Sequence, residues 1–163
     1  MKPAAFLTST VVLFGLSFMH TAHAQQCEPA SESLIREITQ IWSGHVEGHF
    51  NLDVEAASDL YAHEMVWRSP EGIAPMTKEG LVQSYHDWYA RLESEGGRLL
   101  DLSYVTDQAL SCGDVVLELG HWTVKTGTEA TPKVDNWEHS VIWMRDSAGA
   151  LKIQSVINWK MST

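Results

Sequence analysis

The second half of the chain limits its fold more than any other feature. Four segments rich in β-branched and aromatic residues follow one another with little between them: "RLLDLSYVTDQAL" from Arg98, "DVVLELGHWTVK" from Asp114, "VDNWEHSVIWMR" from Val134 and "ALKIQSVINWK" from Ala150. Turn signals separate them at Cys112-Gly113, around Gly127 and Pro132, and in "DSAG". Strands joined this closely are expected to pair as an antiparallel meander, because a parallel pair needs a long crossover between its members.

The first half has the periodicity of helices. Ser31 is placed to cap a helix in which Leu34, Ile38, Ile41, Trp42, His45 and His49 recur at three- and four-residue steps. Asn51-Leu52-Asp53 breaks it, and Asp53 caps a second helix, "VEAASDLYAHE". "VWRSPEG" reads as extended chain turning at Pro70 and Gly72. Thr77 caps a third helix, "TKEGLVQSYHDWYARLE", with Leu81, Tyr85, Trp88 and Leu92 on one side and Gly96-Gly97 as its stop. No repeat, low-complexity tract or linker divides the chain. Helices followed by a meander predict an α+β domain: three N-terminal helices packed on the concave face of a curved antiparallel sheet.

Residues 1–24, "MKPAAFLTSTVVLFGLSFMHTAHA", combine a basic start at Lys2, an apolar run and Ala22-His23-Ala24 as a small-x-small cleavage signal. They read as a secretory signal peptide cut after Ala24, leaving residues 25–163 as a single exported domain, periplasmic or secreted. Losing Lys2 moves the formal charge from −10 to −11. That acidity argues against nucleic acid or an anionic membrane as partner. Cys27 and Cys112 are the two cysteines, and in an exported protein a disulfide between them is the leading expectation, with two separate thiols as the alternative. No second cysteine stands near either, as a metal pair would require. His45 and His49 have the spacing of two ligands on a helix, but "HVEGH" marks no third, so a helix face or pocket lining is expected and no metal or other cofactor is assigned. No GxSxG nucleophile elbow and no phosphate loop is present.

The opening helix containing Trp42, the stretches "DVEAASDLYAHEMVWRSPEG" and "TKEGLVQSYHDWY", and the closing hairpin "HSVIWMRDSAGALKIQSV" together resemble the SnoaL-like branch of the nuclear-transport-factor-2-like (cystatin-like) superfamily, over nearly all of Ser31 to Trp159. The resemblance implies a cone with a central pocket between the concave sheet face and the first and third helices. Members include isomerases, hydrolases, cyclases, dehydratases and non-catalytic binders, and their enzymes usually place an aspartate, often with a histidine or tyrosine, in the pocket. It also implies pairing through the outer sheet face, here expected to carry Glu118, Trp122, Glu138, Ile142 and Gln154 in a homodimer.

The candidate site follows from register. Centring the three turns on Cys112-Gly113, Ala130 and Ser147 sets Tyr104 opposite His121, His121 opposite His139, and His139 opposite Ser155. That row crosses the concave face as the floor of an apolar pocket, with Trp67, Tyr89, Trp137 and Trp143 as walls. His121 or His139 is the expected general base or acid, with Tyr104 beside them and Asp135 as the nearby inward carboxylate. The partner expected is a small, largely apolar molecule, taken up by an acid–base enzyme; the alternative is a non-catalytic domain of the same fold that binds a ligand or a protein partner.

Overall fold

The computed structural model describes residues 27–69 and 72–161; the expected signal peptide lies outside them. In chain order the elements are β1 (Glu28–Pro29), α1 (Glu32–Phe50), α2 (Val54–Ser58), β2 (Tyr61–Ser69), β3 (Gly72–Thr77), α3 (Lys78–Ser94), β4 (Arg98–Cys112), β5 (Val115–Gly127), β6 (Pro132–Arg145) and β7 (Leu151–Lys160). The architecture is α+β, with the helices packed against one curved sheet. The three helix caps stand where the sequence places them: the side chains of Ser31, Asp53 and Thr77 accept from the backbone N–H of Leu34, Ala56 and Gly80. Gly96, at φ 73°, supplies the left-handed residue that lets Gly97 N–H return to Leu92 O and close α3.

The strands run in the order β1-β4-β5-β6-β7-β2-β3. The four long strands are antiparallel neighbours, but β2 pairs with β7 in parallel, so the sheet is mixed rather than purely antiparallel. β2 is also where the second helix was expected to continue. Tyr61 and Met65 are both buried, and a spacing of four puts two residues on one face of a helix and equally on one face of a strand. Tertiary pairing along β7 selects the strand.

Three register differences decide what faces the helices. Beside the turn Cys112 pairs with Val115, but Asp107 is an extra residue in β4, and beyond it Thr106 lies opposite Gly120 and Tyr104 opposite Trp122. Across the next loop Gly127 pairs with Pro132, so His139 lies opposite Gly120 and His121 opposite Glu138. A further shift between Ile142 and Trp143 sets His139 against Asn158 and Ile142 against Ser155. The expected row Tyr104–His121–His139–Ser155 is therefore not formed. Glu118 and Trp122, expected outside, lie on the inner face.

The core joins Ile38 and Trp42 of α1, Leu81 of α3, and Tyr61, Met65, Val141, Trp143, Ile153 and Val156 of the sheet. A Cys27–Cys112 disulfide ties the start of the domain to the end of β4. Among the described residues no helix is long and apolar enough to cross a membrane.

Candidate functional site

On the sheet floor, Glu118 is fully buried, and three donors from three elements converge on its carboxylate. Trp42 Nε1 on α1 donates at 3.0 Å to Oε1, Thr106 Oγ1 on β4 at 2.6 Å to Oε1, and Trp143 Nε1 on β6 at 2.6 Å to Oε2. An isolated buried carboxylate is costly, and these donors replace the water it has lost. His139 stands beside it, 1 % exposed, with Nε2 3.7 Å from Oε1 and no hydrogen-bond partner for either ring nitrogen. Gly120 makes room for that ring: a Cβ there would come within 2.2 Å of Val105 O and 2.7 Å of His139 Nε2.

One turn further along α1, His45 and His49 project toward α3 and β4. His45 Nδ1 is 2.5 Å from Ala57 O, its Nε2 is 3.1 Å from the Tyr104 hydroxyl, and the two Nε2 atoms of His45 and His49 are 3.2 Å apart. His49 Nδ1 is 2.5 Å from the Tyr89 hydroxyl, which also reaches His49 O at 3.2 Å. A continuous polar chain thus runs Tyr89–His49–His45–Tyr104. Burial, then the neighbouring His49, push His45 down to about 3, against the Ala57 carbonyl, which favours protonation; burial takes His49 down to about 4. Burial raises Tyr89 to about 12 and Tyr104 well above its ordinary value. Every member of the chain is uncharged at neutral pH.

Aromatic rings flank this chain on both sides. Tyr104 stacks on Trp42 at 4.2 Å between centroids, Trp122 follows Tyr104 at 5.9 Å, and Trp137 stacks on Trp122 at 5.4 Å. On the helix side Tyr85 and Trp88 approach His49 at 4.7 and 5.9 Å, and Tyr61 carries the arc from His45 to Trp67. Trp67, Tyr85, Trp88, Tyr89, Tyr104, Trp122 and Trp137 are each half-buried, unlike the core rings Trp42 and Trp143.

The expected site residues separate accordingly. Tyr104 and His139 are on the inner face, and Trp67, Tyr89 and Trp137 stand on the aromatic arc. His121 is on the outer face, 2.9 Å from Asp107 Oδ2, because the extra residue in β4 reverses which β5 side chains share a face with Tyr104. Trp143 is fully buried with its indole on Glu118, which makes it core rather than wall. Ser155 shares the outer face with Ile142. Asp135 is bound by Lys160 at 2.5 Å and Lys133 at 3.1 Å; the Lys160 hydrogen bond, opposed by partial burial and aided by Lys133, holds it below the usual carboxylate range. Among the described residues no three His, Cys, Asp or Glu side chains are grouped to hold a metal ion. The residues not foreseen in the site are Glu118, Tyr85, Trp88 and Trp122, whereas His45 and His49, whose spacing predicts a helix face or pocket lining, form the inner pair of the polar chain.

No protein-family model matches the sequence, and no curated protein is similar to it in sequence. Solved structures do match. Aln2 from a Streptomyces species superposes with a TM-score of 0.70 at 15 % identity, over 82 % of this chain and 94 % of that one. An NTF2-like protein with a cystatin-like fold from Novosphingobium aromaticivorans matches at 0.59 and 15 %, over 78 % and 82 %. The fold is the NTF2-like, cystatin-like cone. A third protein of this fold, from Catenulispora acidiphila and in complex with S-DNPA, matches at 0.61 and 16 %, over 80 % and 95 %. At these identities the likeness to the NTF2-like proteins concerns the fold alone.

Proposed function

We propose that this is an exported domain that binds a small, uncharged, largely apolar molecule against the aromatic arc, with the Tyr89–His49–His45–Tyr104 chain as its polar contact. The observation that carries the reading is the pairing of half-buried rings with buried hydrogen-bonding groups that are all neutral. Aromatic walls with a few converging polar atoms are what small-molecule sites are built from. A charged ligand meets charges that are already paired: Lys160, 5.9 Å from the centroid of the Trp137 ring, and Lys133 are both held by Asp135, and Glu118 is enclosed by its three donors. The S-DNPA complex of a protein of this fold supports a small-molecule role. Trp67, Tyr89 and Trp137 remain the proposed walls, joined by Trp88 and Trp122.

A second reading, acid–base catalysis on the bound molecule, draws on the buried imidazoles and phenols that stand side by side in this run. The depressed histidines make them weak bases, which favours binding. Export rests on residues 1–24 and agrees with the disulfide. A homodimer through the outer sheet face is supported by exposed Leu117, Leu119 and Trp159. Thermal denaturation with a panel of aromatic ketones and alcohols, beside carboxylate and ammonium analogues of the same size, tests the ligand class. A ligand at a hundred times its Kd adds about 2.7 kcal/mol of stability. The neutral compounds are expected to raise Tm and the charged ones are not; the reverse order overturns the reading.

A further inference from the structure

The hydrogens of the polar chain can be counted. Ala57 O only accepts, so the His45 proton is on Nδ1 and His45 Nε2 presents one lone pair. Two donors reach for it, Tyr104 O–H at 3.1 Å and, when His49 carries its proton on Nε2, that N–H at 3.2 Å. Only one can hold it. If His49 is Nε2–H, it takes His45 Nε2, Tyr89 donates to His49 Nδ1, and the Tyr104 proton is left without an acceptor in the chain. If His49 is Nδ1–H, it donates to the Tyr89 oxygen, Tyr89 donates to His49 O, and Tyr104 donates to His45 Nε2. The second arrangement places every donor on its own acceptor, and what it leaves without a partner are acceptors alone, His49 Nε2 and the Tyr104 oxygen. Orphaned donors are rarer in proteins than under-used acceptors, so the second arrangement is the resting one.

We infer that His49 is a tautomeric switch that determines whether Tyr104 offers its hydroxyl proton to a ligand. This rests on the binding reading above and adds a specificity to it. A ligand with an acceptor oxygen facing Tyr104 draws that proton away from His45. His49 then changes tautomer, giving its Nδ1 proton up to solvent water and taking one back from water at Nε2, where it fills the vacated lone pair, and Tyr89 turns its hydroxyl from His49 O to His49 Nδ1. No charge is created. The buried imidazoles stay neutral, so the exchange avoids the cost of an ion in the core. An oxygen-free molecule of the same shape has no such effect.

The full chain labelled with 15N-histidine reports each ring's tautomer through two-bond proton–nitrogen correlations. Without ligand, His45 and His49 are both expected as Nδ1–H. In Tyr104→Phe, which removes only the competing donor, the protonated and bare nitrogens of His49 exchange places while His45 is unchanged. His49 as Nε2–H in the unaltered protein, or still Nδ1–H in Tyr104→Phe, overturns the switch. Acetophenone and its oxygen-free isostere α-methylstyrene then separate the two claims. Acetophenone should convert His49 to Nε2–H, and α-methylstyrene should bind without doing so. Acetophenone bound with His49 unmoved overturns the inference, whereas neither probe binding counts against the proposed ligand class and leaves the Tyr104→Phe result to decide the switch.

Discussion

Glu118 and Trp143 lie 25 residues apart on neighbouring strands, and the indole N–H of one donates to the buried carboxylate of the other at 2.6 Å. With Trp42 and Thr106 on the same carboxylate, one acidic side chain connects α1 to three strands beneath the aromatic arc. Replacing Glu118 by Gln keeps the shape but sets an amide N–H₂ against donors. The expected cost is about 3 kcal/mol, measured by urea unfolding, because buried donors lose their acceptor. Glu93→Gln on the exposed side of α3 should change stability by less than about 0.5 kcal/mol. Equal effects of the two contradict the role given to Glu118.

Glycine substitutions separate a required gap from an incidental one. Gly120→Ala drives a methyl group into Val105 O and the His139 ring and should cost about 3 kcal/mol or more. Gly44→Ala meets nothing within 4 Å on α1 and should stabilise the helix by up to about 1 kcal/mol. Chemical denaturation of the two variants gives the comparison directly.

Acid sensitivity follows from the histidine pair. In the fold His45 and His49 titrate near 3 and 4, below the ordinary 6.5. Their contribution to stability is therefore complete above pH 6.5. It is lost as pH falls toward the folded values, where only the unfolded chain takes up protons. Between pH 7 and 5 each imidazole should remove roughly 2 kcal/mol. His49→Gln should flatten that slope. A native protein equally stable at pH 7 and 5 contradicts the burial of the pair.

Much of the fold was legible because its signals are local. Ser31, Asp53 and Thr77 cap three helices, and the turn residues space four strands. The inner face was not legible, because one residue decides it. β5 carries apolar side chains on both faces, Val116 and Val124 inward and Leu117 and Leu119 outward, so its pattern alone does not choose a register. The bulge at Asp107 makes the choice, and no residue type marks it. That single insertion exchanges His121 for Trp122 beside Tyr104 and brings Glu118 inward. His139 faces inward as its strand pattern predicts, because β6 alternates cleanly around Trp137, Val141 and Trp143.

The disulfide closes 85 residues of chain, and in the chain-entropy model reduction should cost on the order of 4 kcal/mol. Unfolding of the Cys27→Ser/Cys112→Ser variant checks this. An unchanged midpoint contradicts a tether that constrains the unfolded chain.

If the aromatic arc receives the ligand, the seven tryptophans report it, with one at each place that matters. Titration of the 15N-labelled protein with 2-naphthol, followed at the indole N–H resonances, tests it most directly. The resonances of Trp67, Trp88, Trp122 and Trp137 are expected to move together. Those of Trp42 and Trp143, enclosed on Glu118, should move less, and that of Trp159, on the outer face with its indole on Glu138, should stay fixed. Shifts confined to Trp159, or none at saturation, contradict the account.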